Sequence, residues 1–312
     1  MSAPQTYAEP PERFDDAPIA YMQRTRAYYL ALGYDNPFRW AHFSDAPFAR
    51  LAKPLSATRL ALVTTAAPHR YDKGDQGPGA AYNAGAKFYE VYARPFEGPH
   101  DLRISHIAYD RTHNRADDQE SWLPLAALRA AFAEGRALPA PRLYGFPTNR
   151  SQARTIDIDA PALVAMMKDD GVDAAVFVPN CPVCHQCAAL AARAVEAAGV
   201  PTVMMAAAKD IAEHVGAPRV VFSDVPLGMA AGRAHDRDAQ ALTLELALRL
   251  LETAPAPRVT LSSPCRFSDD PAWKGDYMNV ARLPPEEIAR RRAENDAQKA
   301  VAAQLREGLG QN

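Results

Sequence analysis

Cysteine is scarce, glycine falls below its usual share, and neither sign of charge dominates. Four cysteines in 312 residues are too few for a secreted disulfide framework, so the fold has to rest on a hydrophobic core. Lys plus Arg total 35 against 37 Asp plus Glu, a formal net charge of −2. That balance excludes the broad basic footprint of a nucleic-acid or anionic-membrane binder. No window approaches the ~20 consecutive apolar residues of a spanning helix, and the mean hydropathy is −0.29. The first residues, MSAPQTYAEPPERFDDAP, have neither a basic n-region nor an apolar h-segment, so a cytoplasmic, reducing location is expected. A phosphate loop is also missing, because Gly77-Pro-Gly79 has no Gly-x-Gly-x-x-Gly or Gly-Lys-Ser/Thr around it.

What the chain does have is proline, 27 residues or about 9% where ~5% is usual, punctuating a series of ordered segments. Helical spacing of large apolar groups predicts a first helix over Ile19 to Leu32. Short apolar runs predict buried strands at Arg59 to Thr65, Asp173 to Val178, Pro201 to Met205 and Arg219 to Asp224. Further strands are expected at Lys87 to Ala93, Leu102 to Tyr109 and Ala140 to Phe146, and helices at Ser121 to Glu134, Pro161 to Asp170, Gln186 to Ala198, Asp236 to Thr253 and Pro285 to Leu309. Strands alternating with helices imply an α/β fold with a mainly parallel sheet sandwiched by helices. The expected organisation is an N-terminal arm over 1–18, one α/β domain over 19–284 and a charged C-terminal helix over 285–312.

Three of the four cysteines stand together in Cys181-Pro-Val-Cys184-His-Gln-Cys187, immediately after a predicted strand. In parallel α/β sheets, ligands bind at the carboxyl ends of strands. Asn180 or Cys181 can cap a helix whose first position takes Pro182. The unpaired amides of such a helix start lower a thiol's pKa from ~8.5 toward ~3.5–7.5, favouring the nucleophilic thiolate. Cys184, three residues on, lies within disulfide reach of Cys181. His185 and His106 are candidate proton donors. Tyr109, Asp110 and His113 follow His106 in Ser-His-Ile-Ala-Tyr-Asp-Arg-Thr-His and are candidate substrate contacts, or else a polar loop. Thr64, Thr65 and Asp224 end predicted strands and are expected to line the same crevice, although β-branched strand residues and a capping aspartate read the same way. The alternative for the cluster is metal: Cys181, Cys184 and Cys187 could hold zinc or ligate an iron–sulfur cluster, with Cys265 the sole further thiol.

Lys53-Pro-Leu-Ser56 with Leu60-Ala-Leu-Val-Thr-Thr65, Leu102-Arg-Ile-Ser-His106-Ile-Ala-Tyr109-Asp110, Val178-Pro-Asn-Cys-Pro-Val-Cys-His-Gln186 and Asp224-Val-Pro-Leu-Gly228 together resemble the glycine/sarcosine/betaine/D-proline reductase selenoprotein B family. The resemblance runs from about Lys53 to Thr253. It implies a reductase in which a selenocysteine, or a cysteine in its place, attacks a substrate carbon bearing nitrogen and the C–N bond is cleaved reductively. On that resemblance Cys181 takes the selenocysteine position and Cys184 is its resolving partner. The implied partners are a small amino-acid-like substrate, a pyruvoyl-type or other reductase subunit, and a thiol reductant protein. No cofactor is required on this reading. Two alternatives stay open: an iron–sulfur or metal-dependent desulfurase of a small thio-compound, and a non-catalytic accessory subunit of a reductase complex.

Overall fold

Four apolar runs that leave almost no polar residue for solvent must be covered on both faces, and they occupy the middle of one sheet. The computed structural model describes residues 16–36 and 38–308, so most of the expected N-terminal arm lies outside the described residues. In chain order the helices are α1 (Tyr21–Ala31), α2 (Leu125–Ala133), α3 (Gln152–Arg154), α4 (Ala160–Asp169), α5 (Pro182–Ala197), α6 (Lys209–Val215), α7 (Arg237–Thr253) and α8 (Pro285–Gly308). The strands are β1 (Arg59–Thr64), β2 (Ala67–Pro68), β3 (Tyr92–Pro95), β4 (Leu102–Arg103), β5 (Leu138–Pro139), β6 (Arg142–Gly145), β7 (Ala174–Val178), β8 (Thr202–Ala206), β9 (Arg219–Asp224) and β10 (Val259–Arg266).

The main sheet runs β10-β9-β8-β7-β1-β6-β3, with β5 also paired to β1. All of its pairings are parallel except β3 with β6. The molecule is thus a single α/β domain with a mostly parallel central sheet flanked by helices and a C-terminal helix. Register is fixed at its centre by Leu60 opposite Ala174 and Thr64 opposite Val178. Helices α4, α5 and α6 pack in a row, and α7 packs on β8, β9 and β10 with α2 against it. A single apolar cluster reaches from Ile19 to Tyr277, whereas α8 buries only Asn295.

Two expected strands are corrected. The segment from Lys87 is irregular as far as Val91, and pairing starts at Tyr92. Its aromatic residues turn into packing and into a cavity, where no neighbouring strand offers a ladder. Only Leu102–Arg103 of the expected strand to Tyr109 pairs, antiparallel to Ala67–Pro68; the rest is a loop over the carboxyl edge of the sheet. Besides the short β2, β5 and α3, two longer elements escape the sequence signals. Pro264 inside β10 argues against a strand, yet β10 is an edge strand whose register shifts between Ser262 and Arg266, where a missing N–H is tolerated. Helix α6 is too short for a periodic signal and ends on Gly216 with φ of 78°, the left-handed cap that glycine adopts without strain.

Candidate functional site

Strand β7 delivers the chain directly into the cysteine segment, and α5 begins at Pro182 with Cys181 as its N-cap. Proline suits that first helical position because its absent N–H has no partner to lose. The backbone N–H of Cys184 donates to Cys181 Sγ at 3.2 Å, so the sulfur occupies the place of an ordinary capping oxygen. Cys181 and Cys184 form a disulfide with their Cα atoms 4.9 Å apart. Cys181 is 3% exposed and Cys184 fully buried, and Cys181 faces a cavity of about 780 Å³.

His106 comes from the loop after β4, and its Nε2 pairs with Thr148 Oγ1 at 3.1 Å. Thr148 in turn lies 3.4 Å from Cys184 Sγ. Imidazole, hydroxyl and sulfur therefore form a continuous relay along which a proton can reach or leave Cys184. Donor atoms of His106, Cys181 and Cys184 all lie within 4.8 Å of one another. Burial, with Lys87 and Arg111 adding to it, pushes His106 down to about 3, so the ring is neutral near pH 7. Its Nδ1 has no hydrogen-bond partner among the described residues.

His185 holds a different post from the one expected. Its Nδ1–H donates to the Cys181 carbonyl at 2.8 Å. Its Nε2 accepts the N–H groups of Ala207 and Ala208, each at 3.1 Å. Those three partners dictate the neutral Nδ1–H tautomer, and burial lowers the ring to about 4. The residue ties α5 to the loop after β8 and has no nitrogen free for proton transfer to substrate.

Cys187 also departs from the cluster. Six helical residues rotate the side chain by about 240° from Cys181, and its thiol donates to the Asn149 carbonyl at 3.2 Å. Burial pushes it up to about 12. The soft-donor trio that the fold assembles is therefore His106, Cys181 and Cys184, not the three cysteines of the metal alternative.

Thr64, Thr65 and Asp224 do sit on the carboxyl edge, but none lines the cavity. Thr64 Oγ1 accepts from the N–H of Ala66 at 3.1 Å, and Thr65 Oγ1 accepts from that of Asn180 at 3.1 Å; these hydroxyls shape the loops that carry the site. Asp224 ends β9, two strands from β7, and pairs with Lys274 at 2.6 Å. Tyr109 borders a neighbouring, smaller cleft, stacked 4.1 Å from the Arg111 guanidinium. Asp110 accepts the N–H groups of Thr112 and His113 and meets His113 Nδ1 at 2.9 Å, contacts that pin the loop.

Three cavity residues carry no motif. Thr148 lies in Phe146-Pro-Thr-Asn149, just past the carboxyl end of β6, and strand-end position alone could have nominated it. Lys87 and Arg150 enter the lining from loops and carry no comparable signal. Lys87 is pushed down to about 8 by burial and by Arg150.

The chain is 28% identical over 209 residues to the D-proline reductase subunit gamma of Acetoanaerobium sticklandii, covering 66% of this chain and 83% of that protein. It is 29% identical over 226 residues to the glycine reductase complex component B subunit gamma of Carboxydothermus hydrogenoformans, covering 68% of this chain and 49% of that one. With the betaine reductase complex component B subunit beta of Peptoclostridium acidaminophilum it shares 28% over 173 residues, 54% of this chain and 38% of the other. The chain thus spans less than half the length of the last two. No family model and no solved structure matches it. Sequence motifs and alignments point the same way: the chain is similar to subunits of the D-proline, glycine and betaine reductases.

Proposed function

We propose that the chain is the thiol-bearing component of a reductase complex that cleaves a carbon–heteroatom bond of a small organic substrate. The observation that carries this reading is the Cys181–Cys184 pair at the start of α5, facing a cavity, with His106 and Thr148 linked to Cys184. In the reduced state, Cys181 thiolate displaces an amine or other heteroatom group from carbon, and that group leaves with a proton. A thioether to Cys181 results. Cys184, its proton passing by way of the Thr148 hydroxyl toward the departing carbon, attacks the Cys181 sulfur and closes the disulfide, with neutral His106 orienting that hydroxyl. The released carbon takes up a proton and becomes C–H. The substrate gains two electrons and the dithiol loses two, so each turnover ends in the disulfide state of this structure. A dithiol reductant protein reopens it, and the D-proline, glycine and betaine reductase relatives support further reductase subunits as partners.

Thiol counting with iodoacetamide tests the reading. On reduction, the native chain should gain two reactive thiols, and Cys181→Ser should lose the faster of them together with substrate turnover by the reconstituted complex. Full turnover in Cys181→Ser, or a native chain whose reactive thiol count is unchanged by dithiothreitol, removes the proposal.

A further inference from the structure

The cavity over the disulfide, at about 780 Å³, lies within the ~300–1,000 Å³ of pockets that enclose drug-sized ligands. A compact aliphatic amino acid would leave most of it to water. The walls are aromatic: Tyr29, Phe38, Tyr82 and Tyr89 all border it. Its charged lining is mostly cationic, with Lys87, Arg150, Arg154, Lys299 and Arg306 set against the carboxylate of Asp157. Arg154 is engaged by Asp159 at 3.7 Å and Lys299 by Asp296 at 3.9 Å. Lys87 and Arg150 have no carboxylate within ion-pair distance among the described residues.

Both of these cations are seated on rings. The Lys87 ammonium is 5.0 Å from the centre of Tyr89 and the Arg150 guanidinium 5.7 Å from that of Tyr29. Cation–π contact recovers part of what desolvation costs but neutralises nothing. Two like charges at one mouth are relieved by an anion, and flat ring faces beside them favour a flat partner.

Resting on the reductase reading of the cavity floor, we propose that the ligand is a planar aromatic or conjugated carboxylate larger than the amino acids named by the relatives. Its ring lies among the tyrosines and its carboxylate on Lys87 and Arg150. The reacting carbon then faces Cys181.

Calorimetric titration of the oxidised full-length chain tests this without turnover. The probes are 2-naphthoate, its saturated counterpart decahydro-2-naphthoate, neutral 2-naphthamide, and proline. The expected result is saturable 2-naphthoate binding at least tenfold tighter than each of the other three. Lys87→Met and Arg150→Met should each weaken 2-naphthoate at least tenfold and leave 2-naphthamide unmoved. Arg150 is exposed at the mouth, so its variant reports even where Lys87→Met disturbs the loop. Equal binding of proline or of the saturated acid, no saturable 2-naphthoate binding, or indifference of Arg150→Met overturns the proposal. Binding that persists in Cys181→Ser while turnover is unaffected would instead remove the thiol mechanism and keep the ligand class.

Discussion

His185 shows how one side chain can be indispensable beside a reactive centre and yet not act in it. Its two nitrogens hold the Cys181 carbonyl and two amides of the loop after β8, so the disulfide segment is tied to the sheet edge. Charging the ring would break the contact to both amides. The unfolded chain takes up this proton near pH 6.5 and the folded chain only near 4. Stability from this group is therefore complete above pH 6.5 and is lost as pH falls toward 4, by about 3 kcal/mol over the window. Urea midpoints measured at pH 7 and pH 5 should fall for the native chain, and fall less for His185→Gln, which starts lower. An equal drop in both proteins would show that another group carries the acid sensitivity. Much of this residue-scale picture was visible in the sequence, because capping and Cys-x-x-Cys geometry act within four residues. The role of His185 was not, since Ala207 and Ala208 lie 22 and 23 residues away.

At the scale of elements, α8 stands apart from the rest. Its 24 residues are charge-laced, and Glu287 pairs with Arg290 and Arg291 along its own surface. It buries Asn295 alone, yet Gln298, Lys299 and Ala302 form one wall of the cavity. Its attachment is polar: Tyr89 donates its hydroxyl proton to the Ala302 carbonyl at 3.4 Å, the Ala84 N–H donates to Gln298 Oε1 at 2.8 Å, Arg292 donates to the Leu32 carbonyl at 2.8 Å and Tyr34 donates to Asp296 at 2.7 Å. Deleting residues 285–312 should leave the sheet folded, since its core does not include the helix. Reduction of the Cys181–Cys184 disulfide by tris(2-carboxyethyl)phosphine should then speed up by tenfold or more, because the reductant reaches the sulfur through an open side. An unchanged rate would mean that access runs by another route. The sequence predicts this helix from its pattern, but its place over the cavity follows from packing against the turn at Ala84–Ala86.

Across the whole molecule, one ion pair joins elements that the chain visits far apart. Arg219 opens β9, and Glu196 lies near the end of α5; both are buried and their charged atoms are 2.5 Å apart. Arg219 also donates to the carbonyls of Thr202 and Ala49, and Glu196 accepts from the N–H groups of Ala49 and Thr202. Removing one partner of such a pair strands the other charge at a cost of roughly 3–5 kcal/mol. Arg219→Met should lower stability by that amount in urea denaturation. Glu196→Gln added to it should recover part of the loss, because glutamine keeps an acceptor for the amides without a charge. A loss under about 1 kcal/mol in the single variant would mean that water reaches the pair.

The sequence by itself determined the α/β class, the four central strands and a helix start at Pro182 capped by Asn180 or Cys181, between which the structure chose Cys181. Continuous apolar runs, N-cap chemistry and proline at the first helical turn are settled by neighbours within a few residues. Only the tertiary structure decided which side chains share the cavity. Thr148 meets Cys184 across 36 residues and His106 across 42, while Lys87 and Arg150 arrive on loops whose path no local periodicity records. Thr65 and Asp224, read as site residues from their positions at strand ends, were claimed by Asn180 and Lys274. A strand end places a residue on the right edge of the sheet, and its nearest partner in space decides whether it remains free for a ligand.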